Sequence, residues 1–116
     1  MPIENRKNII RILEESVRRD EALQTASARI AQLIPVAEEV FGVTYNQGRK
    51  ENGDTLVRNV CAVAMTSEGY TFTAVAKAMN RHRSSVYMML QRAKEMRDGF
   101  FGKDIQDKYN AFINRV

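Results

Sequence analysis

Apolar residues recur every three to four positions along most of the chain, which is the spacing of an amphipathic helix. In residues 4–20 the apolar face comprises Ile9, Ile10, Leu13 and Val17. In residues 22–41 it comprises Leu23, Ala26, Ile30, Leu33, Ile34, Ala37 and Phe41. Because proline removes a backbone hydrogen bond inside a helix, Pro35 is expected either to kink one long helix or to separate two. Gly42 is expected to end this segment.

A loop rich in glycine and asparagine, VTYNQGRKENGD, occupies residues 43–54. It is followed by a helix predicted at about residues 55–67, which Gly69 closes. The apolar positions of that helix are Leu56, Val60, Val63 and Ala64. The last helix of the chain is expected to take Asp104 as its N-cap. Its apolar stripe is Ile105, Tyr109, Phe112, Ile113 and Val116.

Between these elements, the pattern predicts a short helix, a tight turn and a longer helix. Thr71 is expected to cap the short helix, FTAVAKAMN, and Tyr70 and Val75 have the spacing of a hydrophobic staple. The longer helix is predicted from near His82 to near Met96. Its core face is expected to be Val86, Leu90 and Ala93, leaving Ser84, Ser85, Met88 and Arg92 outside.

No segment alternates with the period of two that indicates a strand, so the predicted fold is all-α. It is a helical bundle with a helix-turn-helix at about residues 71–96. We divide the chain into an N-terminal helical extension, residues 1–29, and a helix-turn-helix domain, residues 30–116. The extension is expected to enlarge the core; the alternative is that it pairs two protomers as a homodimer.

Composition excludes several classes of protein. The 116 residues, 44% hydrophobic and 28% charged, are typical of one compact globular domain with an appended arm. One cysteine and one histidine argue against a zinc site, and Cys61, in VCAVAM, is expected to be a buried, inert thiol. No apolar run approaches a membrane span, and MPIENRKNII lacks a signal core, so a cytoplasmic location is expected. No cofactor, metal or small-molecule substrate is indicated.

The net charge of +4 is unevenly distributed. Residues 1–48 carry six Lys/Arg against seven Asp/Glu, residues 49–97 carry nine against four, and residues 98–116 carry three of each. A basic segment of this kind is either a solvated face or the footprint of a polyanion. Charge alone leaves both interpretations open.

The stretch RHRSSV, Arg81 to Val86, concentrates cations at a predicted helix start, where the helix dipole favours anions. A recognition helix contacts base edges with its N-terminal residues, arginine pairs with guanine, and serine hydroxyls pair with several bases. A nearby phosphate would be attracted by both the dipole and the cations. The alternative is that these residues only solvate a helix start capped by Asn80 or by a serine.

The run from Leu56 to Met96 resembles the C-terminal DNA-binding domain of the bacterial replication initiator DnaA, a Trp-repressor-like helix-turn-helix. Arg58-Asn59-Val60-Cys61 stands where that family has an RQ-apolar-A motif, and Arg81 to Val86 stands where it has Arg-Asp-His-Thr-Thr-Val. VAEEVFGV, residues 36–43, also resembles the family's first helix, so the likeness extends over about residues 30–116.

The resemblance implies roles for individual residues. Arg81, His82, Arg83, Ser84 and Ser85 would meet bases or phosphates in the major groove, and Arg58 would contact phosphate. Arg49 and Lys50 are the nearest candidates for a basic loop that reaches the minor groove. Lys77 is added on electrostatic grounds only. Where the family has Asp and then His, this chain has His82 and Arg83. The resemblance therefore does not imply that this chain binds the initiator's target sequence.

The chain lacks a G-x-x-x-x-G-K-[ST] phosphate loop, so it resembles only the DNA-reading end of the initiator. We therefore expect a sequence-specific, double-stranded DNA-binding protein that acts as a replication accessory factor or transcription regulator. The alternative is a helical protein–protein adaptor or dimerisation module with a basic face. No enzyme is expected, because Glu38 and Glu39 point about 100° apart on a helix and His82 has no Cys or Asp near it in sequence.

Overall fold

Residues 25–45 and 52–116 are described by the structure, a computed structural model, with side chains described from residue 55 in the second range. Helix α1 covers residues 25–41. The others are α2 (Asn52–Ser67), α3 (Phe72–Ala78), α4 (Arg83–Arg97) and α5 (Lys103–Arg115). These two ranges contain no strand, so the all-α prediction is confirmed. The helix predicted at residues 4–20 lies outside the described residues, and the division at residue 29 stays a prediction.

Helix α1 continues through Pro35 without interruption, which rules out two separate helices in residues 25–41. Its buried face is the predicted one, Ala26, Ile30, Leu33, Ala37 and Phe41, with Ile34 half-buried. Gly42 ends α1 with a φ of 69°, a left-handed conformation that glycine adopts without steric cost. Two ion pairs connect α1 to its neighbours. Arg29 of α1 pairs with Glu68, which follows α2, and Glu39 of α1 pairs with Arg115 of α5.

Helix α2 is the central element and packs against α3, α4 and α5. It begins at Asn52, three residues before the predicted start. Burial extends around most of its circumference, and its fully enclosed side chains are Val57, Val60, Cys61, Ala62 and Met65. Cys61 is buried, which confirms the prediction of a buried thiol. Its burial raises the pKa of the thiol to about 12.

Three details of the C-terminal helices differ from the predicted pattern. Asp104 is not the N-cap of α5; Gly102 is, and Asp104 lies in the first turn, 3.3 Å from Lys108. Val116 is 42% exposed because α5 ends at Arg115, although Tyr109 and Phe112 are buried as predicted. On α4, Leu90 is only half-buried; the buried residues of that helix are Val86, Met89, Ala93 and Met96.

Across residues 25–45 and 52–116, no helix is both long enough and apolar enough to cross a membrane.

Candidate functional site

The short connection between α3 and α4 sets the position of the candidate site. Thr71 caps α3 as predicted, accepting a hydrogen bond from the Ala74 amide at 3.1 Å. At the other end of α3, the Asn80 amide donates to the Lys77 carbonyl and the Arg81 amide donates to the Ala76 carbonyl at 2.8 Å. This pair of bonds defines a Schellman motif, whose left-handed residue is Asn80 with a φ of 53°. This motif ends α3, and His82 follows two residues after Asn80 at the start of α4.

His82 is the N-cap of α4. The cap is therefore neither Asn80 nor a serine, the residues expected in the alternative interpretation of the sequence. Its ring Nδ1 accepts from the Ser84 amide at 3.3 Å and lies 2.9 Å from the Ser84 hydroxyl oxygen. A ring nitrogen that accepts carries no proton, so in the neutral ring the Nε2–H is the donor. Capping thus orients His82 and leaves it one donor for another molecule.

The structure presents three of the five predicted residues at the start of α4, a region we call the tip (residues 81–85). His82, Arg83 and Ser84 are exposed. Arg81 and Ser85 are half-buried, and the Arg81 Nε atom is enclosed by protein. The first turn of α4 contains no acidic residue. The tip therefore offers guanidinium, imidazole and hydroxyl donors to solvent without a carboxylate on its own turn.

The positive charge extends beyond the tip. Between Gly69 and Lys94 the chain has five Lys/Arg residues and no Asp or Glu; Glu95 is the first carboxylate after this stretch. Lys77 is exposed on α3, one helix before the tip. Exposed cations in a stretch that has no carboxylate favour contact with a polyanion.

A groove of about 660 Å³ lies between α2, α4 and the start of α5, and we call it the basic groove. Arg58 of α2 and Ser85 of α4 both line it, and these two predicted site residues are 27 positions apart in sequence. The other lining residues are Thr55, Leu56, Asn59, Met88, Met89, Arg92, Phe101 and Ile105. Arg49 and Lys50, the predicted minor-groove residues, lie outside the described residues.

Several exposed residues of α4 are not among the residues predicted to form the site. Met88 is 56% exposed and Tyr87 is 53% exposed, and Gln91 and Arg92 are exposed one turn further on. The Tyr87 ring packs edge-on against Phe72 of α3, with centroids 4.7 Å apart. Helical spacing gives part of this signal, because Ser84, Met88 and Arg92 recur every four residues. The contact with Phe72 required the fold.

The polar side chains exposed at this surface are mainly hydrogen-bond donors. Arginine, lysine, serine and the histidine ring donate hydrogen bonds, which suits phosphate oxygens and base edges. Among the residues that the structure describes, no cluster of His, Cys, Asp and Glu has the arrangement of a metal site.

Comparisons of the chain with family models, with curated proteins and with solved structures give no match. The likeness to the initiator domain accordingly rests on the sequence motifs around Arg58 and Arg81, and no family is assigned. The surface itself is defined by an exposed cationic tip, an acid-free stretch from Gly69 to Lys94, and a basic groove on the flank of α4.

Proposed function

We propose that the protein binds double-stranded DNA in a sequence-specific manner, with α3 and α4 acting as a helix-turn-helix and α4 entering the major groove. The observation that carries this proposal is the start of α4, where Arg83 and Ser84 are exposed and His82 caps the helix, within a stretch that has no acidic residue. In helix-turn-helix proteins these N-terminal positions contact base edges. Arg83 reads a guanine, and His82 and Ser84 contact neighbouring bases or phosphates.

Phosphate contacts supply most of the affinity in the proposed complex. Arg58, Ser85 and Arg92 line one groove along the flank of α4, where a DNA strand would pass as the helix enters the major groove. Lys77 adds charge from α3. Arg81 is half-buried, so its contribution is the positive potential of the tip as much as a direct contact. Arg49 and Lys50 are proposed to reach the adjacent minor groove.

In this proposal the protein is a non-enzymatic, cytoplasmic factor in replication or transcription. The region before residue 30 either extends the core or pairs two protomers. A homodimer would present two copies of α4 and would require two half-sites about one helical turn apart.

Selection of bound duplexes from a random pool tests the proposal. We expect a recurrent sequence containing a guanine that depends on Arg83. For that sequence, Arg83→Ala should lower affinity at one base pair by about 1–3 kcal/mol, whereas Arg58→Ala should weaken all duplexes alike. If the pool yields no preferred sequence, or if both variants weaken every duplex equally, Arg83 is not a base reader.

One observation favours a second function, that of an adaptor with a basic face. Phe100 is 79% exposed and Phe101 is 42% exposed in the turn between α4 and α5, and Phe101 also lines the basic groove. Exposed aromatic rings beside arginines suit an acidic protein partner with apolar side chains. Absence of duplex binding at low salt, with unchanged behaviour of Arg83→Ala, would favour the adaptor.

A further inference from the structure

We propose that Met88 reads the 5-methyl group of a pyrimidine in the major groove, an inference that rests on the proposed function. Met88 is 56% exposed, although methionine is an apolar residue. The surrounding exposed residues of α4 are Arg83, Ser84, Tyr87, Gln91 and Arg92. Met88 lies outside the buried core and takes no part in the cap of α4, and it also lines the edge of the basic groove.

The position of Met88 on α4 suits a base contact. The buried face of the helix is formed by Val86, Met89, Ala93 and Met96. At 100° per residue, Met88 projects about 120° away from the centre of that face. Ser84 and Gln91 lie beside it on the exposed side, and the basic groove lies on its other side. The side chain that follows the tip along the exposed face is thus apolar, between groups that form hydrogen bonds.

Met88 lies further along α4 than Arg83, so it would contact a different base pair in the proposed complex. Five residues at 1.5 Å each separate them by about 7.5 Å, which corresponds to roughly two base-pair steps. In the major groove the only apolar group that a base edge presents is the C5-methyl group of thymine. Cytosine methylated at C5 presents the same group. An exposed thioether side chain between hydrogen-bonding neighbours complements that apolar group.

Tyr87 contributes a separate contact between the two helices. Its ring packs edge-on against Phe72 of α3, which favours one rotation of α4 relative to α3. Ser84 and Met88 share the exposed face because they are four residues apart. Glu95 follows on the same face near the end of α4, and its carboxylate sets the limit beyond which DNA contact is unfavourable.

The experiment uses the full chain and the duplex recovered by selection, measured by fluorescence anisotropy at fixed salt. Each thymine is replaced in turn by deoxyuridine, and each cytosine by 5-methylcytosine. If the contacted base is thymine, wild-type affinity should fall roughly fourfold when deoxyuridine replaces it. If the contacted base is cytosine, affinity should rise roughly fourfold when it is methylated. Burial of one methyl group changes an affinity by about this factor. Met88→Ala should abolish this sensitivity, and Met88→Leu should retain most of it.

Gln91→Ala is the matched control, because it lies on the same exposed face and should leave the methyl profile unchanged. Since Met88 is exposed, its variants should keep the helical circular dichroism signal of the wild type. If the duplex binds but no position senses the methyl group, or if Met88→Ala keeps the same profile, the inference about Met88 is wrong and the proposed function stands. If no duplex binds at all, the proposed function itself fails.

Discussion

The turn from α3 to α4 and the turn from α4 to α5 share one backbone design and differ in their side chains. Both are Schellman motifs: the Arg81 amide donates to the Ala76 carbonyl, and the Phe100 amide donates to the Glu95 carbonyl. The left-handed residue is Asn80 in the first turn and Gly99 in the second. The residue after it is a half-buried arginine in the first turn and an exposed phenylalanine in the second.

The helices that follow these turns begin differently too. Helix α5 starts with Lys103, but Asp104 in its first turn complements the positive end of the helix dipole. Helix α4 starts with Arg83 after a histidine cap and has no acidic residue in its first turn. The turns before α4 and α5 share the same backbone hydrogen bonds. The backbone of the turn therefore does not explain why cations occur at the start of α4. Of these two helix starts, only that of α4 has no carboxylate in its own first turn.

The largest effect is expected where α5 meets the core. Phe112 is fully buried, so Phe112→Ala should lower the free energy of unfolding by about 3–5 kcal/mol, measured by urea denaturation. The affinity of the remaining folded protein for duplex DNA should not change, because Phe112 lies in the core and lines neither the tip nor the basic groove. A parallel loss of affinity, corrected for the unfolded fraction, would contradict this division of roles.

Arg83 and Lys103 occupy the same first position in their helices, which makes them a matched pair. Arg83→Ala should weaken binding of the selected duplex by about 1–3 kcal/mol while leaving stability unchanged or raising it by about 0.3–1 kcal/mol, since an unfavourable dipole contact is removed. Lys103→Ala should leave affinity within about twofold. Anisotropy titrations and thermal melts of both variants check this, and equal losses of affinity would show that the site is not specific to α4.

A smaller effect is expected from the two left-handed residues. Asn80→Ala and Gly99→Ala should each lower the free energy of unfolding by about 1 kcal/mol, because alanine is strained at positive φ. Asn80→Gly should be nearly neutral in urea denaturation and in duplex binding. A large loss of stability in Asn80→Gly would mean that the asparagine side chain, and not the backbone, holds the first turn.

Local rules in the sequence predicted most of the fold. Periodicity placed the buried face of α1, and capping chemistry identified Thr71 and Gly42, because these signals depend on neighbouring residues only. The Asp104 prediction was wrong, since glycine at 102, with a φ of 96°, brings the chain into α5 without a side-chain cap. Histidine is an uncommon N-cap, so His82 carried no such signal.

The candidate site could be predicted only in part. The exposure of the tip follows from helical spacing, but the basic groove does not. It exists because α2 packs against α4, so that Arg58, Ser85 and Arg92 line one groove. No pattern within one helix contains that information. The same holds for the Tyr87 contact with Phe72, which joins residues 15 positions apart.

The salt dependence of duplex binding tests the central claim most directly. With about four phosphate contacts, affinity should fall roughly a hundredfold between about 50 and 200 mM salt, linearly in the logarithms of both quantities. Arg58→Ala should make that slope shallower by about one. Undetectable binding at the lowest salt, or an affinity that does not depend on salt, would contradict the account of α4 as a DNA-reading helix.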